Sequence, residues 1–281
     1  MKILITGGSG LLGQYLNIFL SKENEILTLY NQNIGNCRNY KSTKIDLNNF
    51  EKFSELFIKF KPDVVIHTAG FTRPEQCHEE NKEIVYKTNV LATKMISILC
   101  EKYNTKLIYT STDLVYDGDK GGMIKEDGIL NPISIYAKTK LQAEQEIIET
   151  FDNFIILRTS LLIGFGLNHS WNNFHSMYKL LSEGKKPKLF SDQFRTPFSL
   201  INASEIIYEM CKSDIKNEIF NFAGPERVSR FELGKMLCKI SGFKENLIEL
   251  IRMAAYLILL LLQMFLLILK NYVHPVLSKN H

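Results

Sequence analysis

Tyr136 and Lys140 stand four residues apart in "SIYAKTKLQAEQEI", a run of helical composition, and that spacing puts both side chains on one face. An ammonium one turn away from a phenol favours the phenolate, so the pair can pass a proton to or from an oxygen near working pH. Such a pair on its own is more often an ordinary surface contact. Its surroundings give it weight: "KLIYTSTDLVYDG" carries Ser111, Thr112 and Asp113 at the end of a strand-like run. That is the carboxyl edge at which open α/β sheets bind ligands, and a hydroxyl there can hold a reacting oxygen.

A second constellation lies at the N-terminus. "KILITGGSGLLG" sets Gly7, Gly10 and Gly13 directly after a strand-like run and at the start of a helical one. Glycines there let the backbone turn tightly and approach a diphosphate at the helix N-terminus, which predicts a dinucleotide ligand. The end of the second strand, "LTLYNQN", has Tyr30 and Asn31 where a carboxylate would bind a ribose 2′-hydroxyl, and Arg38 and Lys41 follow. This leans towards NADPH and leaves NADH open. Asp46 and Leu47, in "KIDL" after the next short strand, are expected to meet the adenine.

Both constellations need a scaffold, and the patterning supplies one. The apolar strand-length runs "KILIT", "EILTLY", "DVVIH" and "KLIYT" alternate with the helix-length runs "LLGQYLNIFLS", "FEKFSELFIKF" and "EIVYKTNVLATKMISILCEKY". The strands read as continuous apolar runs, as a parallel sheet covered on both faces requires. The expectation is an α/β fold with a doubly wound parallel sheet. After "FIILRTS" the rhythm loosens into loops and helical pieces such as 231–240, which reads as a smaller C-terminal domain. The predicted division is a dinucleotide-binding domain over 1–157, a substrate-binding domain over 158–252 with an interleaved boundary, and a hydrophobic tail over 253–281.

Composition narrows the function classes. Over 281 residues, 34 basic and 30 acidic side chains are spread without the basic stripe that nucleic-acid binding needs. The five cysteines are scattered, odd in number and never spaced as C-x-x-C, so neither a disulfide framework nor a metal site is expected. No secretory leader is visible after Met1, and a cytoplasmic location is expected. His67 reads as a packed strand-end residue and Asn89 as a supporting hydrogen-bonding group. His169, Trp171 and His175 read as loop packing, and Arg195 in "FRTP" could clamp a diphosphate.

In combination and in order, "GGSGLLG", "DVVIHTAGFT", "YTSTDLVYDG", "YAKTK", "RTSLLIGFG" and "DQFRTP" resemble the extended short-chain dehydrogenase/reductases, and within them the dTDP-4-dehydrorhamnose reductase group. The resemblance runs roughly from Met1 to Glu249. It implies a Rossmann fold and an NAD(P)H-dependent reductase of a nucleotide-activated 4-keto sugar, with a homodimer also in view. It implies Thr112, Tyr136 and Lys140 as the catalytic trio, with Tyr136 and Lys140 also at the cofactor. Gly10, Leu11 and Leu12 would cover the pyrophosphate, Asp46 and Leu47 the adenine, and Gly70, Phe71 and Thr72 the nicotinamide side, while Asp113 touches substrate. Two departures concern the sugar: Leu161 stands where such reductases often carry an aromatic residue, and "DQFRTPFS" replaces a Gly-x-Pro-Thr run. The latter is closer to related sugar-nucleotide reductases and to the regulatory subunit of methionine adenosyltransferase. A cofactor-retaining epimerase or dehydratase and a non-catalytic regulatory subunit are the alternatives.

The resemblance fails in "AAYLILLLLQMFLLILK". Met253 to Leu269 is largely apolar, at the short edge of what spans a hydrocarbon core of roughly 30 Å. Permitted codons for 263–272, read in a shifted frame, yield the Asp-Val-Ser-Phe-Asn-Thr run of the family ending. A frameshift near codon 252 is therefore expected ahead of a membrane anchor.

Overall fold

The computed structural model describes residues 1–72, 76–118 and 121–254. The first half runs β1 (Lys2–Thr6), α1 (Leu11–Leu20), β2 (Glu25–Tyr30), β3 (Ser42–Lys44), α2 (Phe50–Phe60), β4 (Val64–His67), α3 (Lys82–Tyr86), α4 (Ala92–Lys102) and β5 (Lys106–Thr112). Then follow α5 (Ile135–Thr150), β6 (Phe154–Thr159), β7 (Leu162–Ile163), α6 (Asn173–Ser182), β8 (Lys188–Phe190), β9 (Phe194–Arg195) and β10 (Phe198–Ser199). The chain continues with α7 (Leu200–Lys212), β11 (Glu218–Phe222), β12 (Val228–Ser229), α8 (Arg230–Ser241) and β13 (Glu249–Ile251).

Seven strands form one parallel sheet in the order β11-β6-β5-β4-β1-β2-β3. The chain enters mid-sheet, builds outward through β2 and β3, then crosses back to β4 on the other side of β1. The direction of winding thus reverses between β1 and β4, where the carboxyl ends of an open sheet leave a crevice for ligands. Every residue of β4 and β6 is buried, which explains the apolar runs Val64–Ile66 and Phe154–Leu157 with which they begin. Alternation divides the core between the two faces. Ile3, Ile5, Ile66, Ile108 and Leu157 pack on one side with α1 and α7, whereas Leu4, Val65, Leu107, Tyr109 and Ile156 pack on the other with α2, α4 and α5.

The helices follow from local chemistry. α2 buries Phe53, Phe57 and Phe60 at helical spacing, Asn49 caps its start by accepting the Lys52 N–H, and Lys61 closes its end at φ 53°. The long run predicted as one helix over 83–103 is interrupted by a π turn at Lys87–Leu91 between α3 and α4. Propensity does not reveal it, because the extra residue is held by a tertiary contact of Asn89 described below.

The described residues fall into two compact units. The first is Met1–His175 with Thr196–Glu226, and the second is Ser176–Arg195 with the described residues from Arg227 to Ala254. Helix α7 and strand β11 belong with the sheet, and β11 pairs in parallel along the outer edge of β6. Within the second unit, β8 pairs with β13 and β9 with β12. Helix α8 starts at a reciprocal capping box between Ser229 and Glu232 and packs at Gly234, where a Cβ would come 2.3 Å from Leu189. Among the described residues, no helix is long and apolar enough to cross a membrane. The tail from residue 255, and with it the frameshift and anchor expectations, lies outside the described residues.

Candidate active site

The glycine loop between β1 and α1 is built from close approaches. Gly7 has φ +67°, and a Cβ on it would come 2.7 Å from the Ala69 nitrogen; a Cβ on Gly13 would come 2.2 Å from the Gly7 carbonyl oxygen. No larger residue fits either place without moving backbone. Gly10 starts α1 with no side-chain cap, and no acidic residue occupies the first turn. The N–H groups at Leu11 and Leu12 therefore face an anion-ready helix start, and the geometry fits the diphosphate of a dinucleotide.

Across the crevice, α5 begins at Ser134, whose hydroxyl accepts the Ala137 N–H and so sets Tyr136 in the first turn. One turn on, Lys140 is buried, with its ammonium 4.4 Å from the centre of the Tyr109 ring. Burial pushes its pKa down to about 7, against the pull of Glu144. The segment after β4 runs close above it: a Cβ on Gly70 would lie 3.9 Å from Lys140 Nζ and 2.9 Å from Asn89 Oδ1. Asn89 fixes that segment by accepting the Phe71 N–H (2.8 Å) and donating to the Phe71 carbonyl (3.2 Å). It also donates to Thr139 (3.1 Å), the residue before Lys140. The π turn thus aims one amide at both the Gly70–Phe71 strip and the Tyr136–Lys140 helix.

Thr112 closes β5 and is buried, its hydroxyl oxygen accepting the Leu114 N–H of the turn Asp113–Val115. Beneath it lies a network that the sequence reading missed. The Ser111 hydroxyl donates to the Glu144 carboxylate, and Arg158 donates to Glu144 Oε2 from Nε (3.1 Å) and Nη2 (2.9 Å). Arg158 Nη1 reaches the Tyr116 hydroxyl (2.7 Å) and the Glu126 carbonyl (2.8 Å), and that hydroxyl donates to Asn221 on β11. Glu144 is 1% exposed and Arg158 3%. The available signal was spacing, since Glu144 continues the helix face of Tyr136 and Lys140 by one more turn.

His67 is a packing residue, as read, with both ring nitrogens used. The Thr93 hydroxyl donates to the Asn89 carbonyl (2.7 Å), so His67 Nε2 donates to Thr93 (2.9 Å) and Nδ1 accepts from Thr6 (2.6 Å). Burial, helped by the Lys140 charge, depresses its pKa to about 3. The unfolded chain takes up a proton near pH 6.5 that the folded chain refuses, so stability is lost as pH falls from about 6.5 towards 3. Urea midpoints should fall over that interval, and His67→Gln should flatten the fall. An unchanged slope in the variant would remove His67 as its source.

The remaining predicted residues are distributed as follows. Tyr30 ends β2, half-buried. Asp46 is exposed and its carboxylate accepts the Asn48 N–H, whereas the Leu47 side chain lies in the core with Phe53, leaving its backbone for a ligand. Thr72 is exposed. Leu161 is half-buried, and its carbonyl accepts from Phe198. The structure gathers the glycine loop, Gly70, Phe71, Thr112, Asp113, Tyr136 and Lys140 at the carboxyl edge of the first unit. Arg195 belongs to the second unit, on β9 opposite Val228. Trp171 stacks on His175 at 4.1 Å, whose Nδ1 accepts the Gly166 N–H.

The chain is 28% identical over 240 residues to the dTDP-4-dehydrorhamnose reductase of Aggregatibacter actinomycetemcomitans, covering 82% of this chain and 76% of that one. Among solved structures it resembles a hypothetical dTDP-4-dehydrorhamnose reductase from Sulfolobus tokodaii at 32% identity and a TM-score of 0.78, covering 89% of this chain and 86% of that one. The fold also matches the Bacillus anthracis dTDP-4-dehydrorhamnose reductase, solved in complex with NADP, at 23% identity and a TM-score of 0.79, covering 91% and 85%. A family model described as RmlD substrate binding domain matches residues 1–258, and the chain belongs to that family.

Proposed function

We propose that the protein is an NAD(P)H-dependent reductase of a nucleotide-activated 4-keto sugar, with dTDP-4-dehydrorhamnose as substrate. The observation that carries this reading is the buried Lys140 ammonium, one helical turn from Tyr136 and directly beneath Gly70, at the carboxyl edge where the winding reverses. When bound, the nicotinamide cofactor supplies the hydride. Gly10, Leu11 and Leu12 hold its diphosphate, Tyr30, Asp46 and the Leu47 backbone line its adenosine side, and Lys140 holds its nicotinamide ribose. Tyr136 gives a proton to the oxygen that develops charge at the sugar carbonyl, and Thr112 orients that oxygen. The Lys140 cation favours the resulting phenolate. Asp113 and Leu161 meet the sugar.

The absence of a carboxylate at Tyr30 and Asn31, with Arg38 exposed nearby, supports NADPH as the preferred cofactor. Retention of a hydroxyl, a tyrosine and a lysine together favours an enzyme over a regulatory subunit. The test is oxidation of NADPH and NADH, followed by absorbance, across a panel of nucleotide sugars. Turnover of dTDP-4-dehydrorhamnose is expected. No turnover with any 4-keto nucleotide sugar overturns the reading, and NAD that survives purification points to an epimerase or dehydratase instead.

A further inference from the structure

Gln14, directly after the last glycine of the loop, is wholly buried, and its amide meets three separate stretches of the chain. Its Oε1 accepts from the Asn36 N–H (3.0 Å) and from Asn168 Nδ2 (2.6 Å). Its Nε2 donates to the Leu167 carbonyl (2.9 Å), the Ser170 hydroxyl oxygen (2.7 Å) and the Ser9 carbonyl (3.1 Å). The Ser170 hydroxyl in turn donates to that Ser9 carbonyl (3.2 Å), and Asn36 Nδ2 returns to the Gln14 carbonyl (2.8 Å). Gly35, at φ +52°, lies so close that a Cβ would come 2.9 Å from Gln14 Oε1, and the Tyr15 hydroxyl donates to the Phe165 carbonyl (2.8 Å).

The three stretches are the glycine loop, the short turn Gly35–Asn39 after β2, and the segment 165–170. In the cofactor reading the first holds the diphosphate and the second flanks the adenosine ribose, while the third has no assigned part. An amide both donates and accepts at one end of a side chain, so a single buried glutamine can clamp all three. We propose that Gln14 is a positioning residue for the dinucleotide, and that segment 165–170 is a strap it locks across the glycine loop and the ribose-side turn. Diphosphate cradle and ribose wall then stand preassembled as one surface, and the cofactor does not have to order them on arrival. Gln14 acts through backbone geometry alone.

This inference rests on the nicotinamide dinucleotide reading and not on the identity of the sugar. The experiment is titration of the full chain with NADPH, followed by the change in nicotinamide fluorescence, alongside thermal unfolding. Gln14→Met keeps the shape of the side chain and removes every bond, and should raise the NADPH dissociation constant about tenfold or more; Ser170→Ala should raise it about threefold. Because both act on the Ser9 carbonyl, the double variant should bind no more weakly than Gln14→Met alone. An unchanged constant in Gln14→Met at equal loss of melting temperature, or additive effects in the double variant, overturns the strap and leaves the cofactor reading standing. If Gln14→Met does not fold, Asn168→Ala, at an exposed position of the strap, and Ser170→Ala carry the test, and no loss of affinity in either is the overturning result. A wild-type chain that binds neither NADPH nor NADH overturns both readings.

Discussion

Tyr136→Phe is expected to lower turnover by about 10²-fold or more, the usual contribution of a positioned acid, while the dissociation constant for NADPH stays nearly unchanged. The expectation follows from position. Tyr136 sits in the first turn of α5, fixed by the Ser134 cap, while close backbone approaches build the glycine loop and Asn89 holds the strip at Phe71. Steady-state rates against sugar and equilibrium titration of cofactor separate the two effects. Retained turnover would remove Tyr136 from the chemistry, and a parallel loss of cofactor affinity would recast it as a structural residue.

The second large effect concerns the buried network below Thr112. Arg158→Met leaves the Glu144 carboxylate almost entirely buried with the Ser111 hydroxyl as its remaining donor among the described residues, and removal of one partner from such a pair costs about 3–5 kcal/mol. Chemical denaturation should show that loss. The double variant Arg158→Met with Glu144→Leu should recover much of it, because the uncompensated charge is then gone. A cost below about 1 kcal/mol in the single variant would mean that water reaches Glu144 once the guanidinium is removed. Since Ser111 precedes Thr112 and Glu144 lies one turn beyond Lys140, the single variant should also depress turnover more than the double one does.

The sheet was legible because parallel strands buried on both faces leave an unmistakable apolar signature, as in "VVIH" and "FIILRT". The glycine loop was legible because only glycine tolerates the Gly7 and Gly13 contacts. Tyr136 and Lys140 could be paired from spacing alone. What stayed hidden depends on contacts between residues far apart in the chain. Gln14 reads as an ordinary helix-surface glutamine until Asn168 and Ser170 are folded against it. Arg158 reads as the end of a strand until it meets Glu144. The π turn at Asn89 has no local cause, since its amide is drawn to Phe71 and Thr139 by the tertiary fold. The return of Thr196–Glu226 to the sheet unit was hidden for the same reason, because a lone parallel strand such as β11 carries no neighbour in sequence.

That late strand has a consequence for how the chain is made. β6 is complete at Thr159, but the strand that covers its outer edge begins only at Glu218. Synthesis at ~5–20 residues per second leaves that edge open for roughly 3–12 seconds, with its backbone donors and acceptors facing outward along a strand that begins Phe-Ile-Ile-Leu. A ribosome-bound chain halted between residues 160 and 217 is therefore a strand-pairing template for its neighbours, and binding by a holdase chaperone should peak over that interval and fall once β11 has emerged.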